Sequence, residues 1–181
     1  NKRYFPVVLS GVEGAYNPHT FTLTLERTIK ETLRKAGHNI SVNSDFENAI
    51  ELIENKAPYL QDLIDSTPEI RMMSKNKEEV LKKLRSFDME FFLALEDALQ
   101  RKYSVQLSSG DITKWLSEVE AEIRSENIAD GLLIFWDEFT SILDTISNGA
   151  INLLQKIAEL SEKQNIYLYL ISHRNPKAYG D

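Results

Sequence analysis

The sequence predicts an α/β protein: a short parallel sheet interrupted by a large helical insertion. Three observations predict it. β-rich, mostly apolar runs stand at residues 4–10, 131–136 and 166–171. The last two are separated by helical patterns, and strand–helix–strand at this spacing implies a parallel sheet with right-handed crossovers. Between the first two runs, residues 38–128 carry helical patterns almost throughout.

Each element has its own signal. The first run reads YFPVVLS, and Gly11 and Gly14 after it mark a loop. Asn17-Pro18 reads as a helix N-cap followed by Pro at the first helical position. Apolar residues then fall at Phe21, Leu25, Ile29, Leu33 and Ala36, with Gly37 placed to end the helix. In the insertion, one helix is expected over residues 46–55 and another after Pro58. A single long helix is expected after Asn76, where Glu79 stands as in a capping box. Its apolar stripe runs through Val80, Leu84, Phe87, Phe91 and Leu95. Residues 103–107 are the one strand candidate in this region. Asp111 is placed to cap a helix carrying Ile112, Trp115, Val119 and Ile123. After Gly131 the α/β pattern returns. The 131–136 strand precedes a helical pattern at Phe139, Ile142, Leu143 and Ile146, which Ser147-Asn148-Gly149 breaks. A second helix carries Leu153, Leu154, Ile157 and Leu160, and leads into IYLYLI at 166–171.

Bulk properties narrow the function classes. A chain of 181 residues fits one domain with a substantial core. A net charge of −7 argues against a broad non-specific nucleic-acid surface on this chain. With no cysteine, disulfides and thiolate metal sites are excluded, which accords with an expected cytoplasmic setting. No apolar run approaches the roughly 20 residues that span a bilayer. The chain begins almost at once with a strand and ends just after one, so the expectation is a piece of a longer polypeptide.

The most informative stretch is residues 132–138, Leu-Leu-Ile-Phe-Trp-Asp-Glu. An unbroken apolar run belongs to a strand of a parallel sheet buried on both faces. It ends in two adjacent carboxylates, at the end of the strand where open α/β sheets place ligands. This is the Walker B arrangement of P-loop ATPases. In such an ATPase Asp137 would hold Mg²⁺, usually through water, and Glu138 would orient or deprotonate the attacking water. In additional-strand P-loop ATPases the strand after Walker B often ends in a polar sensor near the γ-phosphate, and Ser172 or His173 would stand at that position here. The Walker A loop, G-x-x-x-x-G-K-[ST], is absent, for none of the seven glycines begins it. Gly11-Val-Glu-Gly14 has no lysine partner and contains an acid.

Three stretches carry a family resemblance: Phe5-Pro-Val-Val-Leu-Ser-Gly11 with its following helix, GLLIFWDEFTSIL at 131–143, and LLQKIAELSEKQNIYLYLISHRNPKAY at 153–179. Together they cover under half of the chain. It resembles part of the large P-loop ATPase of BREX phage-defence systems (BrxC and PglY type), and is similar to the ATPases of phosphorothioation-linked restriction. The resemblance implies a three-layer P-loop NTPase-like core formed by residues 1–37 and 129–181, with 38–128 inserted. It implies ATP and Mg²⁺ as cofactors, Ser172 and His173 near the phosphate, and Walker A lying upstream. It further implies a parent polypeptide that assembles with copies of itself or with defence-complex subunits, and that reaches DNA. It sets the 131–136 strand in the middle of the sheet. The strand ending at Ile171 then presents an open, apolar edge.

Two other readings compete. The acids can serve only to cap a following helix and favour its dipole, leaving a non-enzymatic interaction scaffold with a degenerate nucleotide site. A metal-dependent nuclease would need a third acid or a lysine on a neighbouring strand, and the sequence offers no clear candidate.

Overall fold

A computed structural model describes residues 2–10, 17–56, 59–108, 110–139 and 146–171. In chain order these form β1 (Tyr4–Ser10), α1 (Pro18–Lys35), α2 (Asp45–Lys56), α3 (Leu60–Ser66), α4 (Pro68–Met73), α5 (Lys77–Arg85), α6 (Met89–Tyr103), α7 (Ile112–Ser125), β2 (Gly131–Asp137), α8 (Asn148–Glu159) and β3 (Ile166–Leu170). The chain divides into two compact units: Asn1–Val42 with Gly110–Asp181, and Asn43–Ser109.

The first unit is α/β. Its sheet has the order β1-β2-β3, with both neighbouring pairs parallel, so the strand carrying the acids is in the middle as expected. Alternate residues of all three strands share one face: Phe5, Val7 and Leu9, then Leu132, Ile134 and Trp136, then Ile166. That face is buried against Phe21, Leu25, Ile29 and Leu33 of α1, Trp115, Leu116, Val119 and Ile123 of α7, and Ala150, Leu154 and Ile157 of α8. Crossovers of one hand that step in one direction place their helices on a common face. The opposite face carries Pro6, Val8, Leu133, Phe135, Tyr167 and Tyr169 in register. Val8 is 61% exposed and Tyr169 50% exposed, with Tyr169 stacked on Phe135 at 5.4 Å. Leu170 at the end of β3 and Ile171 just after it are also exposed, and no described strand pairs with that edge.

Helix α1 begins as its sequence dictates. The Asn17 carboxamide accepts from the Thr20 amide at 3.0 Å, the Thr20 hydroxyl accepts from the Asn17 amide, and Pro18 follows at N1. It ends on Gly37 at φ +82°, where the amides of Gly37 and His38 donate to Arg34 and Leu33 carbonyls. Gly131 opens β2 because nothing larger fits. A Cβ there would lie 2.2 Å from the Asn165 carbonyl oxygen.

The helical unit contains α2 to α6. Phe46 is buried against Phe87 and Phe92, with ring centroids 5.3 and 4.7 Å away. The single long helix expected after Asn76 is two helices. Phe87 adopts φ +55°, and the amides of Phe87 and Asp88 donate to Leu84 and Lys83 carbonyls, closing α5. Asp88 then caps α6 by accepting from the Phe91 amide at 3.0 Å. Asn76 caps α5 as expected, but Glu79 reaches back to the Lys75 amide and not to that of Asn76.

Three further expectations differ. Residues 103–107 form no strand: Tyr103 ends α6 and the segment after it is irregular. The inserted unit spans Asn43–Ser109 and not 38–128, because the apolar face of α7 packs into the α/β core. Ser147-Asn148-Gly149 opens a helix where a break was expected, Ser147 accepting from the Ala150 amide as N-cap of α8. The helix expected around Ile142 and Leu143 lies outside the described residues.

Candidate functional site

The site is built on the carboxyl end of β2. Trp136, the last residue of the buried face, is 1% exposed and stacks on Phe21 of α1 at 5.1 Å, with an interplanar angle of 17°. Phe139 meets the same indole edge-on at 5.5 Å. Between these two anchored aromatics lie Asp137, half-buried, and Glu138, exposed. Asp137 pairs with Ser10 at the end of β1. Glu138 has φ +55°, the left-handed region that side-chain-bearing residues rarely occupy, and its amide donates to Asp137 Oδ1 at 2.8 Å.

The structure thus brings the two predicted acids together on a fixed turn. Ser172 and His173 lie outside the described residues, as does the Gly11–Gly14 segment. Two helices that follow the carboxyl ends of β1 and β2 begin close together, since a Cβ on Gly149 of α8 would lie 2.9 Å from Pro18 Cγ of α1. Their first-turn amides are partly engaged by their own caps, Asn17 and Ser147. Oxygen donors such as Asp137 and Glu138 suit a hard cation like Mg²⁺. Among the described residues no glycine-rich loop bearing lysine is present to cradle a triphosphate, and no cluster of three or more His, Asp or Glu side chains is assembled.

Sequence reading did not anticipate two side-chain assemblies. In the α/β unit, Lys30 Nζ donates to the Ile40 and Val42 carbonyls at 3.3 and 2.8 Å. The Glu122 carboxylate accepts from the Ser41 and Val42 amides. Burial pushes the Glu122 carboxyl upward, but the two backbone amides and the nearby Lys30 charge outweigh it and hold it below its ordinary value. This is an anchor for the chain where it leaves the sheet unit. In the helical unit, an open groove is lined by Ser66, Thr67, Pro68, Glu69, Arg101 and Lys102. Lys102 is paired with Asp62 at 2.6 Å and Arg101 with Asp97 at 2.8 Å, so both cations are already matched. The only sequence signal for either assembly was isolated charges on helical faces, which mark solvated surfaces far more often than sites.

No protein-family model, curated protein or solved structure matches the chain.

Proposed function

We propose that this chain supplies the metal-and-water half of an ATPase site, within a P-loop-type parent acting in a DNA-linked phage-defence assembly. The observation that carries the reading is the acidic pair at the carboxyl end of the middle strand of a parallel sheet. Asp137 is the metal-side acid and would hold Mg²⁺ through water. Bound Mg²⁺ would neutralise charge on the phosphate oxygens. Glu138 orients or deprotonates the water that attacks the γ-phosphate, and its exposure leaves it open to solvent. Ser172 and His173 are assigned to the phosphate side on the resemblance alone. The triphosphate cradle, and assembly with copies or other subunits, belong to the parent in this reading.

The test is ATP turnover by the natural full-length polypeptide with Glu138→Gln. Loss of a positioned general base lowers kcat by about 10²–10⁴-fold. Unchanged turnover would remove Glu138 from the chemistry. The scaffold reading is favoured by one observation, the aromatic sheet face bearing Val8 and Tyr169. Full-length protein that neither binds nor hydrolyses Mg·ATP would move the assignment there.

A further inference from the structure

Strand β2 does not end as a parallel strand should. Its residues Leu132, Ile134 and Trp136 face the helices, and Ile171 donates its amide to the Trp136 carbonyl at 2.8 Å. A regular parallel ladder would next bring the Glu138 amide to the Ile171 carbonyl. The alternation of side chains would also turn Glu138 onto the helix-covered face. Neither happens. The Phe139 amide takes the Ile171 carbonyl, at 3.1 Å, and the Phe139 ring takes the place beside Trp136 in the core. Asp137 and Glu138 together stand opposite the single residue Ile171. This is a β-bulge, a device that is uncommon in parallel pairs and that re-aims a side chain.

The bulge solves a specific problem. A carboxylate in the regular position would be buried beside Trp136 and Phe21, an apolar setting that strongly disfavours charge. With one residue inserted, Glu138 is exposed while Phe139 fills the core. Its amide, displaced from the ladder, is satisfied by Asp137 Oδ1.

We propose that Asp137 is also the positioning residue of this site: one of its carboxylate oxygens closes the bulge that presents Glu138 to solvent. Substitution of Asp137 therefore disturbs Glu138 as well as any cation. The role given to Glu138 in turnover rests on the ATPase reading, whereas the bulge stands without it.

Charge and position are separated by three variants of the full chain. Asp137→Asn keeps an acceptor oxygen in place and loses the charge. Asp137→Glu keeps the charge and moves the acceptor by one methylene. Asp137→Ala removes both. Amide hydrogen exchange, read by NMR, should leave Glu138 within about threefold of the parent rate in Asp137→Asn. Asp137→Glu and Asp137→Ala should speed it by at least about tenfold, with Ile134 unchanged. The tenfold threshold corresponds to one hydrogen bond of roughly 1.4 kcal/mol. Equal exchange in Asn and Glu variants, or none faster than the parent, overturns the proposal. In the natural full-length protein, kcat should fall at least tenfold further in Asp137→Ala than in Asp137→Asn, and equal losses count against positioning. Absence of ATP turnover in the unsubstituted protein would defeat the ATPase reading while the exchange rates still decide the bulge.

Discussion

Replacing Glu138 by glycine should make the protein more stable than replacing it by alanine. At ordinary positions the order is the reverse, because glycine has more unfolded-state freedom, by about 0.5–1 kcal/mol. At φ +55° an L-residue carries a left-handed penalty of roughly 1–2 kcal/mol that glycine escapes. The difference leaves Glu138→Gly ahead of Glu138→Ala by about 0.5–1 kcal/mol. Comparing these two variants cancels whatever the carboxylate itself contributes. Urea unfolding followed by tryptophan fluorescence suits the measurement, since Trp115 and Trp136 both belong to the α/β core cluster. In a chain of this size the shift in Tm is about 1–4 °C. If alanine equals or exceeds glycine, Glu138 does not hold the left-handed conformation in solution and the bulge is wrong.

Other outcomes follow from the packing and the charges. Gly131→Ala should destabilise by about 1–3 kcal/mol, because the new methyl meets the Asn165 backbone and not a yielding side chain; a variant as stable as the parent in urea would contradict that approach. Glu122 has a folded pKa below its ordinary 4.5, so its stabilising effect is present above that value and lost as pH falls below it through the folded value. The stability of Glu122→Gln should therefore fall less steeply than the parent's below about pH 4.5, and an identical acid limb would show that the Ser41 and Val42 contacts do not hold the charged form. Asp88→Ala should cost about 1 kcal/mol by uncapping α6, with helical far-UV signal lost first from the Asn43–Ser109 unit.

The sheet was legible because its signals are local and strong. Three apolar runs with polar ends, and a helix opened by Asn17-Pro18 and closed by Gly37, need no tertiary information. The break at Phe87 was hidden because tertiary packing overrides the local signal there. Phenylalanine lacks the glycine or asparagine signature of a left-handed helix end, and its ring continues the stripe of Val80, Leu84 and Phe91. The boundary of the helical unit was hidden for a related reason. Helix α7 looks like any amphipathic helix, and only the core shows which unit its apolar face joins. At the site, adjacency of Asp137 and Glu138 was plain in the sequence. Which of them falls on which side of the sheet was not, because period-two alternation fails at an inserted residue. Phe139 held the one clue: its apolar side chain stands three residues after Trp136, where strict alternation would require two or four.

The sheet also has a direction. From β1 through β2 to β3 the chain steps one way across it, and α1, α7 and α8, the described helices of the α/β unit, pack on the same face. A right-handed crossover that steps the other way deposits its helix on the opposite side. The row from Val8 through Phe135 to Tyr169 can therefore gain a helical cover from within such a sheet only where the winding turns back. In open α/β sheets that point of reversal opens a crevice at the carboxyl ends of the strands, the end at which Asp137 and Glu138 stand. The row from Val8 through Phe135 to Tyr169 lies on the face away from α1, α7 and α8, and the acidic turn stands at the carboxyl end of that same sheet.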